Sequence, residues 1–213
     1  MKYFKQCTLG LVAAATLSGC AAYKMEPPAG FAMVSESTYE VRLKAQDNVG
    51  VKLQRFENVK GGTLAYWASD LVNKLGKRGY VLTAQSAVET KNGREGTRFD
   101  FDYTIPGTDK PKFFTVSLFV TDKYRIVVQV AGDQQYAATY RGRNGEITGE
   151  LVVRGCKVGS KICGSPQPGR LQTPTPDVIP DGPPSIATDA PVSPANPTPA
   201  PVAAPGPAPV PAP

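Results

Sequence analysis

The sequence predicts an α+β domain with a single antiparallel sheet of about five to seven strands packed against one or two helices. Three observations predict this class. Apolar and polar residues alternate in several segments, which is typical of half-buried strands. One segment places apolar residues at spacings of three and four, which is typical of an amphipathic helix. The later strands follow one another across short polar turns, as in an antiparallel meander.

The first two strands are predicted to form a hairpin. Asp47-Asn48 lies between two alternating segments, and both residue types tolerate the backbone angles of tight turns. The apolar positions of the two segments are Tyr39, Val41, Leu43 and Ala45, then Val49, Val51 and Leu53.

The clearest helix begins after Gly61-Gly62, where Thr63 is a suitable N-cap residue, and Gly79 is its expected stop. Lys74, Lys77 and Arg78 complement the negative end of the helix dipole. The apolar face consists of Leu64, Trp67, Ala68, Leu71, Val72 and Leu75. Trp67 is the only tryptophan, and its place on this face favours core packing over ligand stacking.

Four strand-like segments follow the helix. Residues 80–86 precede a polar turn at Asn92-Gly93, and residues 99–105 alternate apolar side chains with charged or polar ones. Residues 106–109 turn the chain. Two further strands, 113–120 and 125–130, complete the predicted meander.

A second helix is predicted after these strands, with Asp133 as its cap. Its apolar residues are Tyr136, Ala137 and Tyr140, and glycines near residue 145 interrupt it. Residues 146–153 fit either a closing strand or a helical turn, and the pattern does not decide between them. The order of elements over residues 38–153 resembles the PsbP-like fold, which occurs in some bacterial lipoproteins and in photosystem II extrinsic proteins. That resemblance carries no functional residue to this chain.

The amino terminus has the organisation of a secretory signal. Lys2 and Lys5 precede an apolar run of eleven residues over 7–17, which is too short for a membrane-spanning helix. Leu17-Ser18-Gly19-Cys20 then resembles the lipobox of bacterial lipoproteins. The resemblance implies that the Cys20 thiol receives a diacylglyceryl group, that cleavage occurs before Cys20, and that an acyl chain such as palmitate modifies the new amino group.

The lipobox also implies a location and a set of boundaries. Ala21, rather than aspartate, follows the cysteine, and this favours the outer membrane over the inner membrane. We therefore expect a signal peptide over 1–19, a lipidated tether over 20–37, which contains Pro27-Pro28 and Gly30, and a globular domain over 38–164.

Two cysteines remain after the signal and the lipidation site are set aside, and they are Cys156 and Cys163. Two spare thiols in an exported protein are expected to form a disulfide. Gly159-Ser160 between them suits a tight turn. A redox pair or half of a metal site are the alternatives, although a zinc site needs more ligands than these two. A disulfide here would fasten the end of the domain.

The last segment, residues 165–213, contains 17 prolines in 49 residues. Proline removes backbone donors and favours extended polyproline II structure, so this composition predicts a disordered tail. Such a tail can act as a spacer through the peptidoglycan, can present proline motifs to an envelope protein, or can be an unselective linker.

The charge pattern and residue content narrow the chemistry. The net charge is +6, with basic and acidic residues interspersed, and no nucleic-acid partner is expected. The chain has no histidine, which removes the commonest general base and metal ligand. We expect no cofactor and no metal site.

Several acidic residues are candidates for chemistry. Asp100 and Asp102 lie two residues apart on one strand face and are candidates for acid–base catalysis or metal binding, but the simpler interpretation is a solvated face. Asp70 and Asp133 are assigned to a helix surface and a cap. Residues 140–145 form a predicted basic loop, which suits either an anionic glycan or lipid, or a solvated turn.

These observations favour a non-catalytic, membrane-anchored lipoprotein that binds or scaffolds components of the cell envelope. Its expected partners are the membrane, through the lipid on Cys20, and an envelope protein or peptidoglycan. The alternatives are a carboxylate-dependent envelope hydrolase and a carrier of small apolar ligands.

Overall fold

The structure, a computed structural model, describes residues 21–174. The described residues form nine strands, three α-helices and one turn of 3₁₀ helix. The strands are β1 (Tyr23–Met25), β2 (Phe31–Glu36), β3 (Glu40–Ala45), β4 (Gly50–Glu57), β5 (Val81–Glu89), β6 (Glu95–Thr104), β7 (Pro111–Val120), β8 (Tyr124–Asp133) and β9 (Leu151–Val153). The helices are α1 (Leu64–Gly76), α2 (Ala137–Gly142) and α3 (Asn144–Gly149), with the 3₁₀ turn at Gln134–Tyr136.

The predicted signal peptide, Cys20 and residues 175–213 lie outside the described residues. Within residues 21–174, no helix has the length and apolar content needed to cross a bilayer.

Seven strands form one antiparallel sheet in the order β2-β3-β4-β8-β7-β6-β5. The two remaining strands, β1 and β9, pair antiparallel with each other. This architecture confirms the predicted α+β class and the antiparallel meander from β5 to β8.

The predicted hairpin and the predicted helix are confirmed. Val41 pairs with Leu53 across β3 and β4, and Asn48 adopts a positive φ of 59° in the turn between them. At the start of α1, the Thr63 side chain accepts a hydrogen bond from the Tyr66 backbone N–H at 3.3 Å. These local signals were sufficient because turn and cap chemistry depend on only a few consecutive residues.

Both faces of the central strands are buried, and each face has its own apolar core. Helix α1 covers one face, where its apolar stripe packs against β5, β6 and β7. The buried residues of this core are Leu64, Ala68, Val72, Leu75, Phe99, Phe101, Val116, Leu118, Val120 and Val127. On the opposite face, β1, β9, α2 and α3 cover the sheet around Phe113, Phe119, Ile126 and Ile147.

The prediction of a tether over residues 20–37 is wrong for the part that the structure describes. Strands β1 and β2 belong to the folded domain, and Tyr23, Met25 and Phe31 are buried in its core. Among residues 21–174, the buried core therefore starts at Ala22, which is 2% exposed, and so includes residues before 38. Pro27-Pro28 interrupts the sequence pattern of a strand, but it lies in the loop between β1 and β2.

The predicted capping role of Asp133 is also wrong. Its side chain makes no hydrogen bond to the following turn and instead binds the ammonium of Lys112 on the neighbouring strand. Residues 146–153, whose pattern fits either a closing strand or a helical turn, contain both, because α3 is followed almost directly by β9.

The predicted tail contains a fixed segment, residues 165–174, which we call the strap. The strap runs along α1 and the edge strand β5. Ser165 accepts a hydrogen bond from the Leu64 backbone at 3.3 Å, and Thr173 accepts one from the Leu82 backbone at 3.4 Å. The prediction that disorder begins at residue 165 is therefore wrong for these ten residues.

Candidate functional site

The candidate carboxylate Asp100 lies at the centre of a buried polar network rather than on a solvated face. It is 7% exposed. Arg98 donates to both of its carboxylate oxygens, at 2.9 Å from Nε and 2.6 Å from Nη2. The Thr115 hydroxyl donates to Asp100 Oδ1 at 2.8 Å. The interpretation of Asp100 as a surface residue is wrong because α2 covers this face of β6.

The second candidate carboxylate, Asp102, joins the same network. Arg141 of α2 donates to Asp102 Oδ1 at 2.7 Å and to the carbonyl of Phe101 at 2.9 Å. Gln134 donates to the same carboxylate oxygen at 3.1 Å. Two guanidinium groups therefore neutralise two carboxylates, and their hydrogen bonds attach α2 to the sheet.

The predicted basic loop over residues 140–145 is helical instead. Tyr140 and Asn144 are buried, and the Tyr140 hydroxyl donates to Asp47 at 3.0 Å. Arg143 lies over the ring of Phe31, 5.1 Å from its centroid. These residues close the core beside β2, so the region is not a mobile anion-binding loop.

A disulfide joins Cys156 and Cys163, the pair that the sequence suggested. The turn between β7 and β8 holds the loop that this disulfide closes, because Asp122 accepts hydrogen bonds from the Lys157 backbone at 2.8 Å and from the Ser160 hydroxyl at 2.9 Å. Burial alone would raise the pKa of Asp122, but these hydrogen bonds outweigh it and hold the pKa below its ordinary value.

Asp122 and the two cysteine sulfurs lie close enough to suggest a metal-ligand set. The sulfurs are already bonded to each other, however, and only a thiolate is an effective metal ligand. In the oxidised protein this group is a structural fastening.

Five loops lie at one end of the sheet. Four of them form what we call the loop cluster, residues 37–39, 58–63, 121–123 and 154–164, and the fifth, the β5–β6 turn at 90–94, binds the end of β9 through Asn92. Asn58 connects two of them, since its backbone N–H donates to the carbonyl of Lys123 at 2.8 Å and its side chain donates to that of Thr121 at 2.9 Å. Gly155 lies against Thr121 and Tyr124. The Arg55 backbone N–H donates to the carbonyl of Tyr39 at 2.9 Å.

Two arginines beside the loop cluster are packed between aromatic rings. The guanidinium of Arg55 lies 4.5 Å from the centroid of Tyr39 and 4.9 Å from that of Tyr124. Arg125 lies 3.7 Å from the ring of Trp67, and burial lowers the pKa of Arg125. Trp67 is half-buried and donates from Nε1 to Asn58 at 2.9 Å. It therefore combines core packing with support of the loop cluster.

The surface of the loop cluster is basic and carries exposed apolar side chains. The four loops contain five basic residues and one acidic residue, Asp122, and the exposed Glu36 and Glu57 directly precede two of the loops. The basic residues are all exposed and are Lys60, Lys123, Arg154, Lys157 and Lys161. Among the apolar residues, Val59 is 83% exposed, Tyr39 is 64% exposed, and Val158 is fully exposed.

The described chain begins at the loop cluster and stops at the opposite end of the domain. The Arg154 backbone N–H donates to the carbonyl of Ala22 at 2.8 Å, which places the start of the described chain beside the end of β9. Pro174 lies against Gly76 at the far end of α1. Because α1 has 13 residues, the two points are separated along it by about 20 Å.

A shallow groove of about 420 Å³ lies on the part of the sheet that α1 leaves uncovered. Val34 and Phe114 provide apolar surface, and Arg42, Lys44 and Lys52 surround it. Glu40 forms ion pairs with two of these three cations, Arg42 and Lys52. The groove is large enough for a small ligand but stays open to solvent.

The sequence could not identify the residues that organise these features. Asp70 was assigned correctly to a helix surface, where it binds Lys74 at 2.8 Å. The network of Arg98 and Arg141 was missed because it is completed by α2, which lies about 40 positions from β6 in the sequence. The alternation of Arg98 with Asp100 was a visible signal, since it places opposite charges on one face.

No protein-family model and no curated protein sequence matches the chain. Solved structures are similar to it at low identity. LpqN from Mycobacterium tuberculosis, which is involved in cell envelope biogenesis, has 12% identity and a TM-score of 0.45, over 62% of this chain and 82% of LpqN.

Two further structures show the range of this similarity. Cyanobacterial PsbP from Synechocystis has 12% identity and a TM-score of 0.36, over 68% of this chain and 100% of that protein. The Saccharomyces cerevisiae Ran-binding protein Mog1p has 13% identity and a TM-score of 0.37, over 63% of this chain and 91% of Mog1p. The PsbP-like resemblance suggested by the order of elements is thus present among solved structures. At these values the likeness assigns no activity, ligand or partner to the chain.

Proposed function

We propose that the protein is a non-catalytic lipoprotein of the cell envelope, anchored through Cys20, that holds a binding partner near the membrane. One observation carries this proposal: the lipobox cysteine precedes Ala22, the first buried residue that the structure describes, by only two positions. The folded domain would then stand directly on the lipid anchor, with no intervening tether.

The opposite ends of the domain support a connecting role. The anchor side is the loop cluster, and the strap carries the chain away from it along α1. Hydrogen bonds from Leu64 and Leu82 to the strap fix its path. The proline-rich residues that follow would therefore start from the side of the domain that is remote from the membrane. For a two-membrane cell, we propose the outer membrane as the site of anchoring because Ala21 follows the lipobox.

The engagement of the candidate carboxylates supports a non-catalytic role. A general acid or base needs a proton-accepting oxygen within reach of a substrate. Asp100 is buried beneath α2 and accepts hydrogen bonds from Arg98 and Thr115. Asp102 is half-buried, and Arg141 and Gln134 both donate to its Oδ1. The hydrolase alternative therefore loses the two residues that motivated it.

The open groove on the sheet favours a second candidate function, the binding of a small apolar ligand. Its apolar surface at Val34 and Phe114 is the supporting observation. A Phe114→Gln substitution should abolish binding of an apolar fluorescent probe if the groove is used. Equal probe binding by the variant would argue against this function.

Lipidation can be tested with a matched pair of cysteine variants. Cells expressing the full chain are labelled with radioactive palmitate, and the mature amino terminus is measured by mass spectrometry. Cys20→Ser should remove the label and block cleavage, whereas Cys7→Ser, in the predicted signal, should leave both unchanged. Incorporation of palmitate into Cys20→Ser would contradict the proposed anchor.

The connecting role needs a separate experiment. Crosslinked complexes are isolated from intact cells that express the full chain or a form ending at Pro174, which keeps the strap. We expect an envelope protein or peptidoglycan fragment to be recovered with the full chain and lost with the shorter form. Equal recovery with both forms would assign partner binding to the domain itself.

A further inference from the structure

We infer that the loop cluster is a docking surface for anionic phospholipid headgroups. This inference rests on the proposed anchor at Cys20 and adds a second, non-covalent membrane contact. It identifies which surface of the domain faces the bilayer and which lipid class that surface recognises.

Position is the first argument. Cys20 is two residues from Ala22, and an extended chain spans at most about 3.6 Å per residue. The backbone of Cys20 would therefore lie within about 7 Å of Ala22, whose carbonyl accepts a hydrogen bond from the Arg154 backbone. Charges interact across roughly 8 Å at physiological ionic strength. The basic residues of the loop cluster would consequently lie within electrostatic reach of the headgroups.

Charge is the second argument. Five exposed cations occupy the loop cluster, and none of them forms an ion pair with a described residue. The only acidic residue of the four loops, Asp122, is occupied by the Lys157 backbone and the Ser160 hydroxyl. Clustered lysines and arginines next to a membrane attract anionic lipid.

Exposed apolar tips are the third argument. Val59 and Val158 stand at the ends of their loops with little or no protein contact. Tyr39 offers an amphipathic ring, which is the type of side chain that favours the membrane interface. Basic residues combined with such tips match the two requirements of an interfacial contact, headgroup attraction and shallow apolar burial.

The surface is also preformed. The disulfide and the hydrogen bonds to Asp122 fix the loop that carries Lys157, Val158 and Lys161. Asn58 fixes the loop that carries Val59 and Lys60 to the β7–β8 turn. A preformed surface loses little conformational entropy on binding.

Lysine footprinting on the lipidated full-length protein tests this inference. The protein is inserted into vesicles of phosphatidylglycerol with phosphatidylethanolamine, or of phosphatidylcholine alone, and is treated briefly with an acetylating reagent. Acetylation of Lys60, Lys123, Lys157 and Lys161 should be about threefold or more slower in the anionic vesicles. Lys44 and Lys110, exposed at the opposite end of the domain, serve as internal controls.

Matched charge variants separate recognition from mere proximity. Lys157→Glu with Lys161→Glu should reduce the protection of Lys60 and Lys123, whereas Lys44→Glu with Lys110→Glu should not. Equal protection in neutral and anionic vesicles would overturn the inference, because the anchor alone would then account for it. If the lysines of the loop cluster are protected only when an anionic glycan is added, the surface recognises that polymer instead of lipid. That result would also overturn the inference.

The same experiment distinguishes failure of this inference from failure of the anchor. The mass of the amino-terminal peptide reports whether Cys20 carries lipid. If it does not, the proposed function fails, and salt-sensitive binding of the full chain to anionic vesicles still tests the loop cluster. If the unlipidated protein shows no such binding and the lipidated protein shows no selective protection of the loop cluster, the inference is refuted. That result would leave the proposed anchor at Cys20 unaffected.

Discussion

The side-chain carbonyl of Gln85 accepts a hydrogen bond from the backbone N–H of Leu171 at 3.0 Å, across 86 positions of sequence. The amide nitrogen of the same side chain donates to the carbonyls of Pro168 and Gly169, at 3.1 and 3.0 Å. One residue of the edge strand β5 thus satisfies three backbone groups of the strap. This side chain makes more hydrogen bonds to the strap than any other described residue, and Thr97 of β6 adds one to Gln167 at 2.6 Å.

Replacing Gln85 with Ala should release the strap from the sheet. Each of the three hydrogen bonds contributes about 1 kcal/mol. Their loss leaves the strap its hydrogen bonds to Leu64, Leu82 and Thr97 and the packing of Leu171 against the core. The expected result is faster trypsin cleavage after Arg170, which is exposed, measured by mass spectrometry. Gln172→Ala changes an exposed neighbour and should leave the rate unchanged. An unaltered rate in the Gln85 variant would show that other contacts hold the strap.

Replacing Asp100 with Asn should destabilise the domain strongly. The amide keeps the shape of the side chain but leaves Arg98 without its anionic partner in a buried site. Removal of one member of a buried ion pair costs roughly 3–5 kcal/mol. Urea unfolding followed by circular dichroism should show this loss, with Asp109→Asn in an exposed turn as the control. A loss no larger than that of the control would mean that the network adds little to stability.

Tyr140 should make the domain sensitive to alkali. Burial raises the pKa of Tyr140, and the hydrogen bond to Asp47 and the charge of that carboxylate raise it further. Above the unfolded value of about 10, the folded protein keeps a proton that the unfolded chain has lost. The free energy of unfolding should therefore fall as the pH rises above 10.

A pair of tyrosine variants measures this effect. Urea midpoints at pH 9 and pH 11 should differ less in Tyr140→Phe than in the unmodified protein, because one source of the pH dependence has been removed. Tyr66→Phe, at an exposed site, should retain the full difference. Identical pH dependence in all three proteins would exclude a contribution from Tyr140.

Loss of the Cys156–Cys163 disulfide should lower stability by about 2.5 kcal/mol, as expected for a loop of this length on the chain-entropy estimate. The Cys156→Ser, Cys163→Ser double variant should match the unmodified protein measured with a reducing agent. It should itself be insensitive to that reagent. If the oxidised protein gains nothing in urea unfolding, the disulfide has no role in global stability and acts only within the loop cluster.

Local sequence signals were enough to predict the central elements. The hairpin of β3 and β4 depends on the Asp47-Asn48 turn, and α1 depends on the Thr63 cap and an apolar stripe. Each signal lies within the element that it determines. For the same reason, the meander from β5 to β8 could be recognised from alternation and short turns.

The elements that were missed depend on partners far away in the sequence. Strands β1 and β2 are short and flank Pro27-Pro28, and burial of Tyr23 requires β9. The composition of the strap indicates disorder, yet Gln85 provides it with hydrogen bonds. Asp100 alternates with aromatic residues as a surface residue would, but α2 covers the face on which it lies. Periodicity identifies the two faces of a strand without revealing whether both are covered.

The pairing of β1 with β9 has a consequence for the order of folding. These strands come from the two ends of the sheet-forming chain, so β1 can be paired only after almost the whole domain has been synthesised. Closure of β1 against β9 would then be a late step, after the meander and α1 have formed. A slow phase in refolding that disappears when β1 is deleted would identify this step. The strand nearest the anchor would thus be among the last to find its partner.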